Sequence, residues 1–406
     1  MNNLLITDVR VFDSVSGELR DGPVRVVDGV VESVGDEPPP AYGGPVLDAA
    51  GGTVIPGLID AHFHAYGFAT DAHSLEARPL SYVALAAARR LGRALRRGFT
   101  TVRDVAGGDP GLAAAIAEGL LPSPRYLYTG PGLSQTGGHG DSRGAEEPGG
   151  CPCGGITMEV VDGVDALRVA VRDRFRRGAH AIKIMASGGV ISPTDPIRPP
   201  QYSADEIRAV TDEASRRGSY VAAHTYSPEA IQHAVGNGVR SIEHGNLMDR
   251  PAAELMAERE AFLVPTLAAY DSIDRLGAEF GVPASARAKN VEVLDAGRTA
   301  VELARAAGVL IGFGTDLMGD LETEQLVGLR LQVEVEGVVR TLQSATRVNA
   351  ALIGRSDLGV VEPGAAADFV VLPGDVLDEP ALLWGESRVV VQGGVVVAEG
   401  ASGSSG

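Results

Sequence analysis

Residues 54–64 read Val-Ile-Pro-Gly-Leu-Ile-Asp-Ala-His-Phe-His, an apolar run that ends in two histidines one residue apart. In a strand, residues i and i+2 share a face, so His62 and His64 project together and can close on one metal ion. Four later residues stand in the same setting. Lys183 in AIKIMASGG, His224 in YVAAHTY, His244 in SIEHG and Asp316 in LIGFGTD each fall at or near the C-terminal end of a short apolar, β-branched run. That end of a parallel barrel is where α/β-barrel enzymes collect their chemistry. Each residue alone would read as an ordinary polar group at a strand end. Repetition of one context along the chain argues instead for a metal centre at the mouth of a barrel.

Strand-like runs at 54–64, 100–105, 125–129, 181–186, 220–226, 241–244, 262–267 and 310–316 alternate with helix-compatible stretches, including 82–97, 164–177, 204–217 and 286–307. This alternation favours a parallel sheet, and eight such strands favour closure into a distorted (β/α)8 TIM barrel. The first 55 residues and the stretch from Asp368 carry short valine-rich runs broken by glycine and aspartate, with no helical period. The expected organisation is a discontinuous β-sandwich domain built from both termini (1–55 and 356–401), a barrel over 56–355, and a flexible Ser-Gly-Ser-Ser-Gly tail at 402–406. Two connectors, 130–162 and 187–203, are long for barrel loops, as lids and substrate walls are.

The balance of 35 basic against 53 acidic residues gives a formal charge of −18, which argues against nucleic acid or an anionic membrane and for a small-molecule substrate. Cys151-Pro-Cys153 reads as a pair of loop thiols, too few for a disulfide framework or a soft-metal site. No basic start with an apolar segment precedes Leu4, and no apolar run reaches the roughly 18 residues of a membrane span. A soluble, cytoplasmic homo-oligomer is expected.

Lysine is a poor ligand while protonated. Desolvated between two cations, Lys183 can lose its proton and take up carbon dioxide, and the resulting carbamate is an anionic bridge. The alternative is a lysine whose ammonium snorkels from the strand end. The company of His62, His64, His224, His244 and Asp316 favours the bridge.

GLIDAHFH, IKIMASGGV, AHTYSPEAI, SIEHGN and GTD resemble the metal-site motifs of the amidohydrolase superfamily. GGHGD, SPTDPI, PLSYVALAAARRL and FTTVRDVAG resemble more narrowly its Xaa-Pro dipeptidase and Xaa-Arg/Lys carboxypeptidase group, also called imidazolonepropionase-like. The likeness spans essentially the whole chain. It implies that His62, His64 and Asp316 hold the more buried of two divalent ions, that His224 and His244 hold the second, and that carboxylated Lys183 bridges them. It further implies attack by a metal-bridging hydroxide, with Asp316 taking the proton and passing it to the departing amine. Zinc is the expected ion.

His139, between glycines in the 130–162 loop, is implied to polarise the substrate carbonyl or hold the oxyanion. Tyr226, on the strand face of His224, suits a hydrogen bond to a substrate carboxylate or oxyanion, or simply packs the barrel. Asp104 at the end of the second strand is expected to support the site, and His73, His180 and His233 to be structural. The expected activity is hydrolysis of the amide bond of a dipeptide or N-acyl amino acid bearing a free carboxylate. Three rivals stand beside it: a hydrolase of non-peptide amides, ureas, carbamates or esters such as toxins or xenobiotics, a mononuclear deaminase, and a non-catalytic assembly protein.

Overall fold

The computed structural model describes residues 2–36, 43–70, 72–144, 146, 155–192 and 195–399. Eight strands surround the barrel axis: Leu58–Phe63, Phe99–Asp104, Arg125–Tyr128, Ile182–Met185, Val221–Thr225, Ser241–His244, Phe262–Val264 and Leu310–Ile311. The register sets the chemistry at one height. Met185 pairs with His224, His224 with Glu243, and Glu243 with Val264, while Lys183, Ala222 and Ser241 lie level two residues below.

The barrel is distorted in two places. The third strand pairs with the second over Arg125–Tyr128, turns at Gly130 (φ 71°), and resumes at Gly132–Ser134 to meet the fourth strand at Ile184. Met158–Val160, from the long loop, adds a further parallel strand there. The eighth strand, expected over 310–316, keeps ladder pairing only at Leu310–Ile311. Beyond it the chain closes on the first strand through Ala61 N–H to Phe313 O at 2.9 Å and Asp316 N–H to His62 O at 2.8 Å.

The helices expected at 82–97, 164–177, 204–217 and 286–307 occupy Leu80–Arg96, Val164–Arg176, Ala204–Ser215 and Ala284–Ala307. Strand alternation sorts the rest: Ile182, Ile184, Val221, Ala223 and Ile242 point outward into a buried layer with Leu167, Val171, Ile207, Val210 and Val301 of the helices. Lys183, Ser241 and Glu243 therefore point inward.

Both termini contribute to one eight-stranded sheet that holds Leu4–Phe12, Val24–Val27, Val30–Val34, Val46–Pro56, Phe369–Leu372, Val389–Gln392 and Val395–Glu399 in its main path. It folds over Leu4, Ile6, Val11, Val24, Val26, Val54, Phe369 and Val391, and an antiparallel bridge joins Val30, on one edge strand, to Ala366 just before the Phe369–Leu372 strand. The single strand expected at 54–64 is two strands. Pro56 pairs with Phe369 in the terminal sheet, whereas Leu58 pairs with Phe99 in the barrel. Gly57 makes the passage: a Cβ there would lie 2.1 Å from Thr100 Oγ1. No helix among the described residues is long and apolar enough to cross a membrane. Cys151-Pro-Cys153 and the 402–406 tail lie outside the described residues.

Candidate metal centre and active site

Four imidazoles and one carboxylate converge at the C-terminal mouth of the barrel. One ligand atom each of His62, His64 and Asp316 lies within 4.8 Å of the others. His64 Nε2 is 2.8 Å from Asp316 Oδ1 and His62 Nε2 is 3.5 Å from it, while His244 Nδ1 is 3.8 Å from Oδ2. Ring centroids step from His64 to His62 (5.2 Å), to His244 (4.9 Å), to His224 (4.5 Å) and to His139 (4.2 Å, stacked). His244 and Asp316 enter the site from left-handed backbone, φ 73° and 52°. For non-glycine residues that conformation costs free energy and is held by its surroundings, a feature common at functional sites.

Burial holds His62 and His224 well below the ordinary imidazole range and His244 at about 3. These rings are neutral at neutral pH, the form that ligates metals. Lys183 lines the same cavity, 2% exposed, and its Nζ has no hydrogen-bond partner. Burial lowers its ammonium to about 8, against the opposing pull of Glu243 and Asp316.

Beneath the imidazoles lies a polar layer that sequence reading missed. Glu243 Oε2 is 2.6 Å from His62 Nδ1, and Glu243 Oε1 accepts from Arg103 Nη2 at 2.7 Å and Ser241 Oγ at 2.5 Å. Arg103 and Glu243 are both fully buried. With Glu243 accepting at Nδ1, His62 keeps a lone pair on Nε2, the atom facing Asp316. Asp60 fixes the neighbouring backbone by accepting from His62 N, Thr315 N and Thr315 Oγ1. Asp104, expected to support the site, accepts from Ala65 N at 3.1 Å and Tyr126 O–H at 2.7 Å. Nothing in the sequence singled out Glu243: alternation from an inward His244 would turn it outward, whereas it faces inward with Ser241 and His244 reaches the site through its left-handed backbone (φ 73°).

A cavity of about 330 Å³ opens above the cluster. His139 and Tyr226 both line it. His139 Nδ1 is 3.0 Å from Ser192 Oγ, and burial holds its ring below the ordinary range although Asp195 pulls upward. The Tyr226 ring stacks on His244 at 5.3 Å, and its hydroxyl is 2.9 Å from that of Tyr270. Burial raises the Tyr226 hydroxyl far above the usual phenol range, so it remains an O–H. Much of the remaining wall is apolar, including Met158, Met185, Val190, Ile191, Ile273 and Leu321. His180 and His233 lie elsewhere, before the fourth strand and in helix Pro228–Gly236, and the His73 backbone is helical in Ala72–Ala77.

All six sequence-selected strand-end residues thus meet at one mouth, with His139 and Tyr226 in the same cavity. An unpartnered buried amine among neutral imidazoles and an aspartate fits a divalent-metal site and is hard to account for as packing. The fold and the site together define an enzyme of the barrel-hydrolase class. The chain belongs to the amidohydrolase family, whose profile matches residues 53–396. Ochratoxinase from Aspergillus niger is 33% identical over 347 residues, covering 80% of this chain and 71% of the relative. The crystal structure of a prolidase complexed with N-methylphosphonate-L-proline superposes with a TM-score of 0.95 and 42% identity, over 98% of this chain and 100% of the other. A Xaa-Pro dipeptidase with methionine bound in its active site gives 0.87 and 29%, over 98% and 100%.

Proposed function

We propose that the protein is a binuclear metal-dependent amidohydrolase that cleaves the amide bond of a dipeptide or N-acyl amino acid with a free carboxylate. The observation that carries the reading is Lys183 Nζ, buried without a partner in the cavity shared with His62, His64, His224, His244 and Asp316. His62, His64 and Asp316 would hold one ion, His224 and His244 a second, and carboxylated Lys183 would join them. Zinc suits these nitrogen and oxygen donors; bound there, it would supply Lewis acidity to the carbonyl and acidify water at neutral pH.

The protein's own groups supply the remainder. Asp316, whose Oδ1 lies 2.8 Å from His64 Nε2, would take a proton from the attacking water and deliver it to the departing amine nitrogen. His139 stands beside His224 to address the scissile carbonyl oxygen. The Tyr226 hydroxyl addresses the substrate carboxylate or oxyanion.

The prolidase and dipeptidase likenesses support a peptide or acyl amino acid substrate. Among the described lining residues both acidic groups are engaged, Asp141 with Arg143 and Asp316 with His64. The cavity therefore offers a basic side chain no free carboxylate, which weighs against a Xaa-Arg/Lys preference. The ochratoxinase likeness and the apolar wall favour a second reading, a bulky non-peptide amide or related bond. Kinetic screening of dipeptides and N-acyl amino acids against acylanilides tests both. Turnover of acylanilides alone would replace the first reading with the second, and hydrolysis of neither set would remove both.

A further inference from the structure

The chain contains 35 basic residues, of which only two are lysine, Lys183 and Lys289. Wherever an exposed cation suffices, the sequence uses arginine. Lys183 belongs to the site already described. Lys289 lies in the second turn of helix Ala284–Ala307, outside every motif discussed above.

Its ammonium donates to three backbone carbonyls of a single loop: Gly189 O at 3.0 Å, Ser192 O at 2.7 Å and Asp195 O at 2.8 Å. Three divergent N–H bonds from one point match a tetrahedral ammonium and do not match the planar fork of arginine. This loop bears Val190, Ile191 and Ser192 of the cavity wall, and the start of the lysine's helix with the residues before it bears Val282, Pro283 and Ser285 of the same wall, Val190 and Val282 sharing one apolar cluster. The loop also sets His139. Ser192 Oγ is 3.0 Å from His139 Nδ1 and donates to Asp195 Oδ1, and Asp195 Oδ2 accepts from Gly189 N and Gln201 Nε2. Gly189 lies so close to the imidazole that a Cβ there would be 2.0 Å from His139 Cε1. The Ser192 hydroxyl has one hydrogen, and the Asp195 carboxylate takes it. Ser192 Oγ must then accept from His139 Nδ1–H.

We propose that Lys289 is a positioning residue: by gathering three carbonyls of the 187–203 loop it fixes the cavity wall and, through Ser192 and Asp195, the orientation and tautomer of His139. The catalytic part of this assignment rests on the amide-hydrolase reading, whereas the loop-fixing part does not.

The test compares metal-loaded wild type with Lys289→Met and Lys289→Arg by amide hydrogen exchange, metal content and steady-state kinetics on a dipeptide that the wild type hydrolyses. In Lys289→Met, exchange within 187–203 should rise about 10-fold or more while barrel strands and metal content stay unchanged. The kcat should fall about 10–150 fold, the equivalent of one charge-assisted hydrogen bond, and arginine should not rescue it. Ser192→Ala, which removes the His139 partner and leaves the clamp, should lower kcat without loosening the loop. Unchanged loop exchange, exchange that rises throughout the protein, a wild-type kcat in Lys289→Met, or full rescue by arginine would each overturn the proposal. A wild type that hydrolyses no amide would instead refute the functional reading, with the exchange arm still reporting on the clamp.

Discussion

Replacing Glu243 with glutamine probes the layer under the candidate metal centre. Glu243 is fully buried, faces His62 Nδ1 at 2.6 Å with one oxygen, and receives Arg103 and Ser241 on the other. Glutamine offers one acceptor and one NH2 group. If its oxygen stays with Arg103, the NH2 confronts the Nδ1–H of His62, which must move its proton to Nε2 and lose the lone pair directed at Asp316. If the amide is reversed, Arg103 and Ser241 lose their acceptor. Either way Arg103, with a fully buried side chain, is left without its counter-charge. Breaking a buried ion pair from one side costs about 3–5 kcal/mol, and altering the partner of a metal-binding histidine weakens metal affinity about 10–100 fold. Urea unfolding of the metal-free proteins reads the first quantity, and zinc titration against a competing chelator reads the second. Stability within about 1 kcal/mol of wild type together with unchanged zinc affinity would refute the reasoning, because a charge this buried cannot be abandoned silently.

Asp316→Asn keeps an oxygen ligand but cannot carry a proton, so kcat should drop about 10²–10⁴ fold in enzyme whose metal content is checked in parallel. Tyr226→Phe should lower kcat/KM about 10–150 fold for free-acid dipeptides and less for their amides; equal losses would remove its carboxylate role. His139→Ala should slow both kinds of substrate, since both present the carbonyl it addresses. His180, held at about 4 mainly by burial with Arg103 adding to the effect, favours the neutral ring in the fold. Its contribution to stability is present above the unfolded value of about 6.5 and is lost as pH falls toward 4. In urea titrations across that window, His180→Gln should flatten the acid-side loss by up to ~3 kcal/mol, at ~1.4 kcal/mol for each pH unit between the unfolded and folded values, and an unchanged slope would contradict this.

Residues legible in sequence were those whose strand context repeats. HxH, the lone strand-end lysine and the later histidines each follow a short apolar run; inward alternation carries His62, His64, Lys183 and His224 to one mouth, and a left-handed residue at the strand end brings His244 there. Pro56-Gly57 inside the most telling run hid a boundary, because alternation continues across it while hydrogen-bond partners change from Phe369 to Phe99. The eighth strand ends earlier than its apolar run suggests for a related reason: beyond Ile311 the chain follows the first strand through isolated bonds instead of a ladder, and Asp316 turns into left-handed backbone. The Arg103–Glu243 pair is set by two inward positions on distant strands, a coincidence of register that only the closed barrel displays. Lys289 carried a compositional signal, its rarity, but its partners are backbone carbonyls, which leave no side-chain pattern to read.

The binuclear, lysine-bridged centre is tested most directly by zinc content after loading in bicarbonate, measured on wild type and on Lys183→Ala. The account predicts about two zinc ions per wild-type chain, with most of that metal and the hydrolytic activity lost together in the variant. A variant that keeps the wild-type zinc content and turnover would contradict it.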